Sequence, residues 1–172
     1  LAQGSANAQS DDQDAQVIPD VWDLHIVGDG PERGAIEQLI ASAGPQAVSR
    51  IHLLGYKSGE DLQREVGNAR FTVLSSEWRE NMPYSGLESL AAQTPIIGAR
   101  IGGIPELVEE GKTGVTFESG DAVDLLNSMR KCSAVSASSY SSMQRFCREY
   151  VNARCLQNKY ALTLIDLYER VI

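Results

Sequence analysis

The chain is short of cations, histidine and cysteine, and each shortage closes off a class of function. Fifteen Lys and Arg stand against 23 Asp and Glu, a formal charge of -8 at pH 7, which argues against a nucleic-acid surface or a polybasic membrane patch. An anionic ligand is still allowed, because helix amino ends and a few local cations hold anions inside an acidic protein. Two histidines, His25 and His52, and three cysteines, Cys132, Cys147 and Cys155, form no C-x-x-C pair or metal-ligand cluster. They read as the side chains of a reduced, cytoplasmic protein without a metal. No apolar run approaches the roughly 18 to 20 residues of a transmembrane helix. The start, LAQGS, lacks the positive segment of a signal peptide and an initiator Met, so the chain reads as a piece of something longer. Residues 1–20 contain neither Lys nor Arg and are expected to be a mobile linker or the end of a truncated helix.

What is present is a domain's worth of alternating segments. The 172 residues are 42% hydrophobic and 22% charged, which suits one α/β domain over 21–172 with a core of ordinary size. Apolar runs at 22–27, 50–54, 71–74, 95–99 and 114–117 read as strands. Helical segments follow them. The first runs from Pro31 to a stop at Gly44, with Ile36, Leu39, Ile40 and Ala43 inward; others cover 60–66, 86–93, 106–110 and, capped by Asp121, 121–131. A Ser-rich connector is expected over 133–142, then a helical tail with Tyr160, Leu164, Leu167 and Tyr168 as its apolar stripe. This alternation predicts an α/β fold built on one Rossmann-like, doubly wound parallel sheet that lacks its first strand.

The stretch SSEWRENMPYSGLESLAAQ at 75–93 organises the rest. It lies where a strand hands its carboxyl end to a helix amino end, the place where ligands bind in open α/β sheets. It carries Glu77, Glu80 and Glu88. Ser85 and Glu88 are spaced as a capping box, with Pro83 ending any earlier helix; on that reading Glu88 is structural and Glu80 an exposed loop acid. Two glycine-rich turns accompany it, at Gly28, Gly30 and Gly34 and at Gly102 and Gly103. The first resembles a dinucleotide fingerprint, but the next strand has no acid at its tip to hold a ribose. Three such turns on one sheet edge are expected to form one pocket.

Taken in order, Gly28-Asp-Gly-Pro-Glu32, Leu54-Gly55, Glu80 and Glu88 in an E-x7-E relation, Pro95-Ile-Ile, Gly102-Gly-Ile-Pro-Glu106 and Gly111-Lys-Thr-Gly114 resemble retaining glycosyltransferases of family 4, within group 1. The resemblance is to their carboxyl-terminal, nucleotide-sugar-binding half in a two-domain GT-B fold. It implies that Glu80 is the catalytic residue, lying beside the donor sugar and holding its hydroxyls, and that Glu88 accepts hydrogen bonds from the ribose. It also implies that Asn81, Met82 and Tyr84 present backbone N–H groups to sugar or diphosphate, with Pro83 shaping the turn. Gly28 and Gly30 would admit the diphosphate side of the donor close to the backbone, Gly102 and Gly103 would also line the donor site, and Tyr56 and Lys57 would lie near the base. No metal cofactor is implied.

Two features of such enzymes are absent. One is the amino-terminal domain that, by the resemblance, binds the acceptor, such as a lipid-linked or polysaccharide intermediate, in a parent that can associate peripherally with a membrane. The other is the pair of diphosphate-binding cations at the domain's start, for which Lys57, Arg79 and Arg100 are the nearest substitutes. The fragment alone is therefore expected to bind donor weakly and to transfer nothing. The alternative is a nucleotide-binding or scaffolding module without catalysis. Of the remaining residues, His25 reads as structural, Trp22 and Trp78 as packing, Glu109 and Glu110 as solvated helix-end charges, and the cysteines as unreactive helix residues.

Overall fold

Apolar residues of alternating direction place two cores on opposite faces of one central strand. In the computed structural model, residues 22–155 and 157–171 are described. Among the described residues five strands, β1 (Leu24–Val27), β2 (Ile51–Gly55), β3 (Thr72–Leu74), β4 (Ile96–Ala99) and β5 (Gly114–Phe117), are interspersed with eight helices. These are α1 (Arg33–Ser42), α2 (Pro45–Arg50), α3 (Gly59–Asn68), α4 (Tyr84–Ala91), α5 (Ile104–Leu107), α6 (Ala122–Ser133), α7 (Ala137–Arg154) and α8 (Gln157–Val171). All four residues of β4 are buried. Ile96 points into a cluster with Leu90, Leu107, Val108, Cys147 and Tyr150, under α4 and α7. Its neighbour Ile97 points the other way, towards Ala99, Ile104, Phe117 and Cys132, under α5 and α6. A strand covered on both faces explains the unbroken apolar run.

The strands pair in parallel, as expected, but in two sheets rather than one. β1 pairs with β2, and β3, β4 and β5 pair in that order. A doubly wound sheet in the order 3-2-1-4-5-6 that lacks its first strand leaves two strands on one side of the gap and three on the other. That is the order observed here, β2-β1 and β3-β4-β5, with no strand between β1 and β3 among the described residues. The two sheets are joined at their amino ends by stacked rings. The Trp22 and Phe71 centroids are 5.9 Å apart, and the Arg70 guanidinium lies 4.9 Å from the Trp22 ring and 4.7 Å from that of Tyr140. One Arg70 nitrogen donates to Val135 O at 2.9 Å, while its Nε is buried without a partner among the described residues. Cations over aromatic faces stabilise such contacts by about 0.5 to 2 kcal/mol each.

Several boundaries differ from expectation for local reasons. Gly44, at φ 96°, is followed at once by α2, whose first residue is Pro45, so β2 starts at Ile51. Pro83, not Ser85, is the N-cap of α4, and no side chain caps it; Ser85 lies inside the helix and the capping box does not form. Helix α5 ends at Leu107, leaving Glu109 and Glu110 in a turn. There Glu110 accepts from the Thr116 N–H at 2.8 Å and from its hydroxyl, so it is not a solvated helix-end charge. Most of the Ser-rich connector is helical: Ser136 accepts from the Ser139 N–H at 3.2 Å and starts α7 at Ala137. Asp121 caps α6 as expected, accepting from the N–H groups of Val123 and Asp124. In α8, Tyr160, Leu167 and Tyr168 are exposed and Leu164 is half-buried, so the expected stripe is left largely open. Residues 1–20, expected to be a linker, lie outside those described.

Burial pushes the thiols of Cys132 and Cys147 up to about 12, while Cys155, at the end of α7, is exposed. The thiolate is the reacting species. A disulfide reagent at pH 8 is therefore expected to titrate only Cys155 in the native chain and all three thiols after unfolding. In the core, Leu107→Ala is expected to cost about 2 to 5 kcal/mol in a urea titration, and Leu162→Ala, on the exposed α8, less than about 0.5 kcal/mol.

Candidate active site

The acid loop between β3 and α4 is held by backbone contacts to a glycine pair. The Gly103 N–H donates to Glu80 O at 2.7 Å. The two main chains approach so closely that a Cβ on Gly103 would stand 1.7 Å from Asn81 O, and one on Gly102 2.4 Å from Glu80 O. Gly102 also has φ 54°, a left-handed conformation that favours glycine. At the other end of the loop the Ser119 hydroxyl donates to Ser76 O at 3.2 Å, and the Glu80 N–H donates to Trp78 O at 3.0 Å. This latch brings Glu80 and Asn81 onto the turn after β4.

The loop leads into α4 through Pro83, which is buried. The first internal bonds of the helix are those of the Gly86 and Leu87 N–H groups to Pro83 O, at 3.0 and 3.3 Å. The N–H groups of Asn81, Met82, Tyr84 and Ser85 have no partner among the described residues. Unpaired N–H groups at a helix amino end carry partial positive charge and suit an anion. The exposed side chains of Glu80 and Glu88 likewise have no hydrogen-bond or ion-pair partner among the described residues. As carboxylates they accept from hydroxyls, each able to bridge two. Met82 and Tyr84 stand at the rim, 46% and 81% exposed.

The other glycine turn forms a second group. Gly28, at φ 133°, donates its N–H to Gly55 O at 2.8 Å, joining the carboxyl ends of β1 and β2. The Gly30 N–H donates to Asp29 Oδ1 at 2.8 Å. An open cleft of about 260 Å³ lies here, lined by Ile26, Gly28, Gly30, Arg33, Ile36 and Leu53 among others. Tyr56 and Lys57 follow β2, Tyr56 largely exposed. The expected single pocket is thus two groups of residues on the carboxyl ends of two sheets. Gly28, Gly30, Tyr56 and Lys57 belong to one, and Glu80 to Tyr84, Glu88, Gly102 and Gly103 to the other.

The cations sort themselves by their partners. Arg100 is bound to Glu118, Asp124 and Thr116, and Lys57 to Glu65 at 2.5 Å. Arg79, beside Glu80, has no partner among the described residues. The sequence could not separate these three, because the acids that hold Lys57 and Arg100 come from α3, the turn after β5, and α6. Trp78 is 83% exposed and does not pack as expected. Among the described residues no group of three or more His, Cys, Asp or Glu is arranged to hold a metal, and no helix is long and apolar enough to cross a membrane.

The latch predicts opposite effects for two Gly→Ala changes. Gly103→Ala must displace the loop, with an expected loss of about 1 to 3 kcal/mol and new protease cleavage within 76–83. Gly34→Ala, inside α1 with open space around it, is expected to stabilise by about 0.5 to 1 kcal/mol. Thermal melts with limited proteolysis measure both.

Residues 12–134 match the family Glycosyl transferases group 1. Among curated relatives, the sulfoquinovosyl transferase of Arabidopsis thaliana is 33% identical over 110 residues, covering 62% of this chain and 20% of that protein. The chain therefore spans about a fifth of that relative's length. Among solved structures, sucrose-phosphate synthase from Thermosynechococcus elongatus is similar with a TM-score of 0.72 and 25% identity, over 86% of this chain and 38% of that one. Anabaena HepE in complex with UDP is similar in fold, with a TM-score of 0.70 and 19% identity over 84% of this chain and 41% of that one. With strands, turns and acids in this order, the chain belongs to the group 1 glycosyl transferases and has the fold of the carboxyl-terminal half of a GT-B enzyme.

Proposed function

We propose that this chain is the donor-binding half of a retaining glycosyltransferase that moves a sugar from a nucleoside diphosphate to an acceptor held by the other half. The observation that carries this reading is the junction of the latched acid loop with the uncapped start of α4. Two carboxylates, Glu80 and Glu88, flank the N–H groups of Asn81, Met82, Tyr84 and Ser85, all of them without a partner among the described residues. A nucleotide sugar needs both. Its ribose and hexose present paired hydroxyls, which carboxylates accept, and its diphosphate gains negative charge as the glycosidic bond breaks. The amino end of α4 opposes that charge without rearranging.

In this reading Glu88 holds the ribose and Glu80 the sugar hydroxyls near the reacting carbon. The diphosphate lies towards Tyr84, Gly102–Gly103 and the Gly28–Gly30 turn, and the base lies towards Tyr56 and Lys57. HepE, of similar fold, is described with UDP, which supports a uridine or related nucleotide here. No metal is assigned a role. The acceptor, a lipid-linked or polysaccharide intermediate, belongs to the partner half, as does peripheral membrane contact. Transfer needs that half, so the chain alone binds donor weakly.

The test is calorimetry of UDP and GDP with the full-length protein and its Glu88→Ala variant. Saturable binding of one nucleotide, weakened about tenfold by loss of the charged hydrogen bonds, supports the reading. A folded full-length protein that binds neither is a scaffold instead.

A further inference from the structure

One face of the β1–β2 sheet is polar where a covered sheet face is ordinarily apolar. Leu24, Ile26, Ile51 and Leu53 share the face towards α1 and α2, in the register Leu24↔Ile51 and Ile26↔Leu53. His25 and His52, also register partners, lie on the other face with their rings edge to face, centroids 5.3 Å apart. From them an unbroken file of polar contacts runs along the strands. Arg50 lies 3.8 Å from Asp23 and Asp23 3.3 Å from His52. Beyond the ring contact, His25 Nδ1 lies 3.2 Å from Glu65 Oε2, and Glu65 Oε1 accepts from Lys57 Nζ at 2.5 Å.

The file ends at the carboxyl edge of β2, on the rim proposed for the donor base. Lys57 and Glu65 are its best covered pair, their side chains 24% and 27% exposed. Lys57 first and His25 second hold the Glu65 carboxyl below its ordinary range. A surface lysine normally retains most of its rotamer freedom; here that freedom is lost before any ligand arrives. An ammonium whose charge is offset by a carboxylate is a poor partner for a diphosphate but a good donor to a neutral oxygen. It has three N–H donors and no acceptor, so it suits the oxo group of uracil or guanine and opposes the exocyclic amino group of adenine.

We propose that Glu65, steadied by His25, is a positioning residue that aims the Lys57 ammonium at a base oxo group, making the site selective for oxo-bearing bases over adenine. The inference rests on the donor-binding reading above and adds to it a specificity determinant.

UDP, GDP and ADP binding to the full-length protein, measured by calorimetry for wild type, Lys57→Met, Glu65→Met and the double variant, tests it, with thermal melts confirming that each is folded. The wild type is expected to favour UDP or GDP over ADP by about tenfold or more, the worth of one charged hydrogen bond. Each single variant is expected to lose most of that preference, and the double variant to lose no more than Lys57→Met alone, because Glu65 acts through Lys57. Glu149→Gln, whose partner Arg145 also lies on the exposed side of α7, is expected to leave the preference unchanged. A purely structural staple would change melting and leave base preference intact, so a retained preference in Glu65→Met overturns the proposal. So do additive losses, or equal wild-type affinity for ADP. Absence of all nucleotide binding by the wild type overturns the donor-binding reading along with it.

Discussion

The single hydrogen bond from Gly103 to Glu80 O, at 2.7 Å, and the main-chain contact around it decide where the chemistry can be. The loop that bears the acid and the turn after β4 approach more closely than any side chain at 103 would permit. Because the bond joins backbone to backbone, it leaves the Glu80 side chain free and fixes only its origin. The turn is in turn anchored by the core beneath it, since Ile104 and Leu107, just after the glycines, are fully buried. Loop position, helix start and core packing are therefore one mechanical unit on the three-stranded sheet.

The two-stranded side has a different character. No residue of β1 or β2 is fully buried, and the contacts on one face are ion pairs between partly exposed groups, which individually stabilise by about 0 to 1 kcal/mol. Stability thus resides mainly around β4, and the rim bearing Gly28, Tyr56 and Lys57 stands on a lighter scaffold. Segments with few buried contacts open at lower free energy than the core. The group at Glu80 and Glu88 is therefore the more rigid of the two, and the group at Gly28, Tyr56 and Lys57 the more yielding.

Much of this was legible in the sequence. The strands at 71–74, 95–99 and 114–117 were plain, because both faces of β4 are covered and its run is apolar throughout. Asp121 announced its helix because a cap is a local interaction. Where local rules failed, a tertiary contact had intervened. Ser85 has the spacing of a cap, but buried Pro83 takes the N-cap position and moves the helix start forward. Glu110 looked like a surplus charge until β5 brought the Thr116 N–H and hydroxyl to it. The serines at 133–142 have the composition of a connector, yet Ser136 caps a helix that buries Met143, Cys147 and Tyr150. In the site, the order of glycines and acids was visible; the latch, the Lys57–Glu65–His25 file and the split between two sheets depend on residues far apart in the chain.

The most direct measurement is a crystal structure of the full-length protein with UDP. The diphosphate is expected within hydrogen-bonding distance of the N–H groups at the start of α4, with the ribose against Glu88 and the Gly103 to Glu80 bond intact. A diphosphate bound away from α4, or a ribose that leaves Glu88 untouched, would contradict this arrangement.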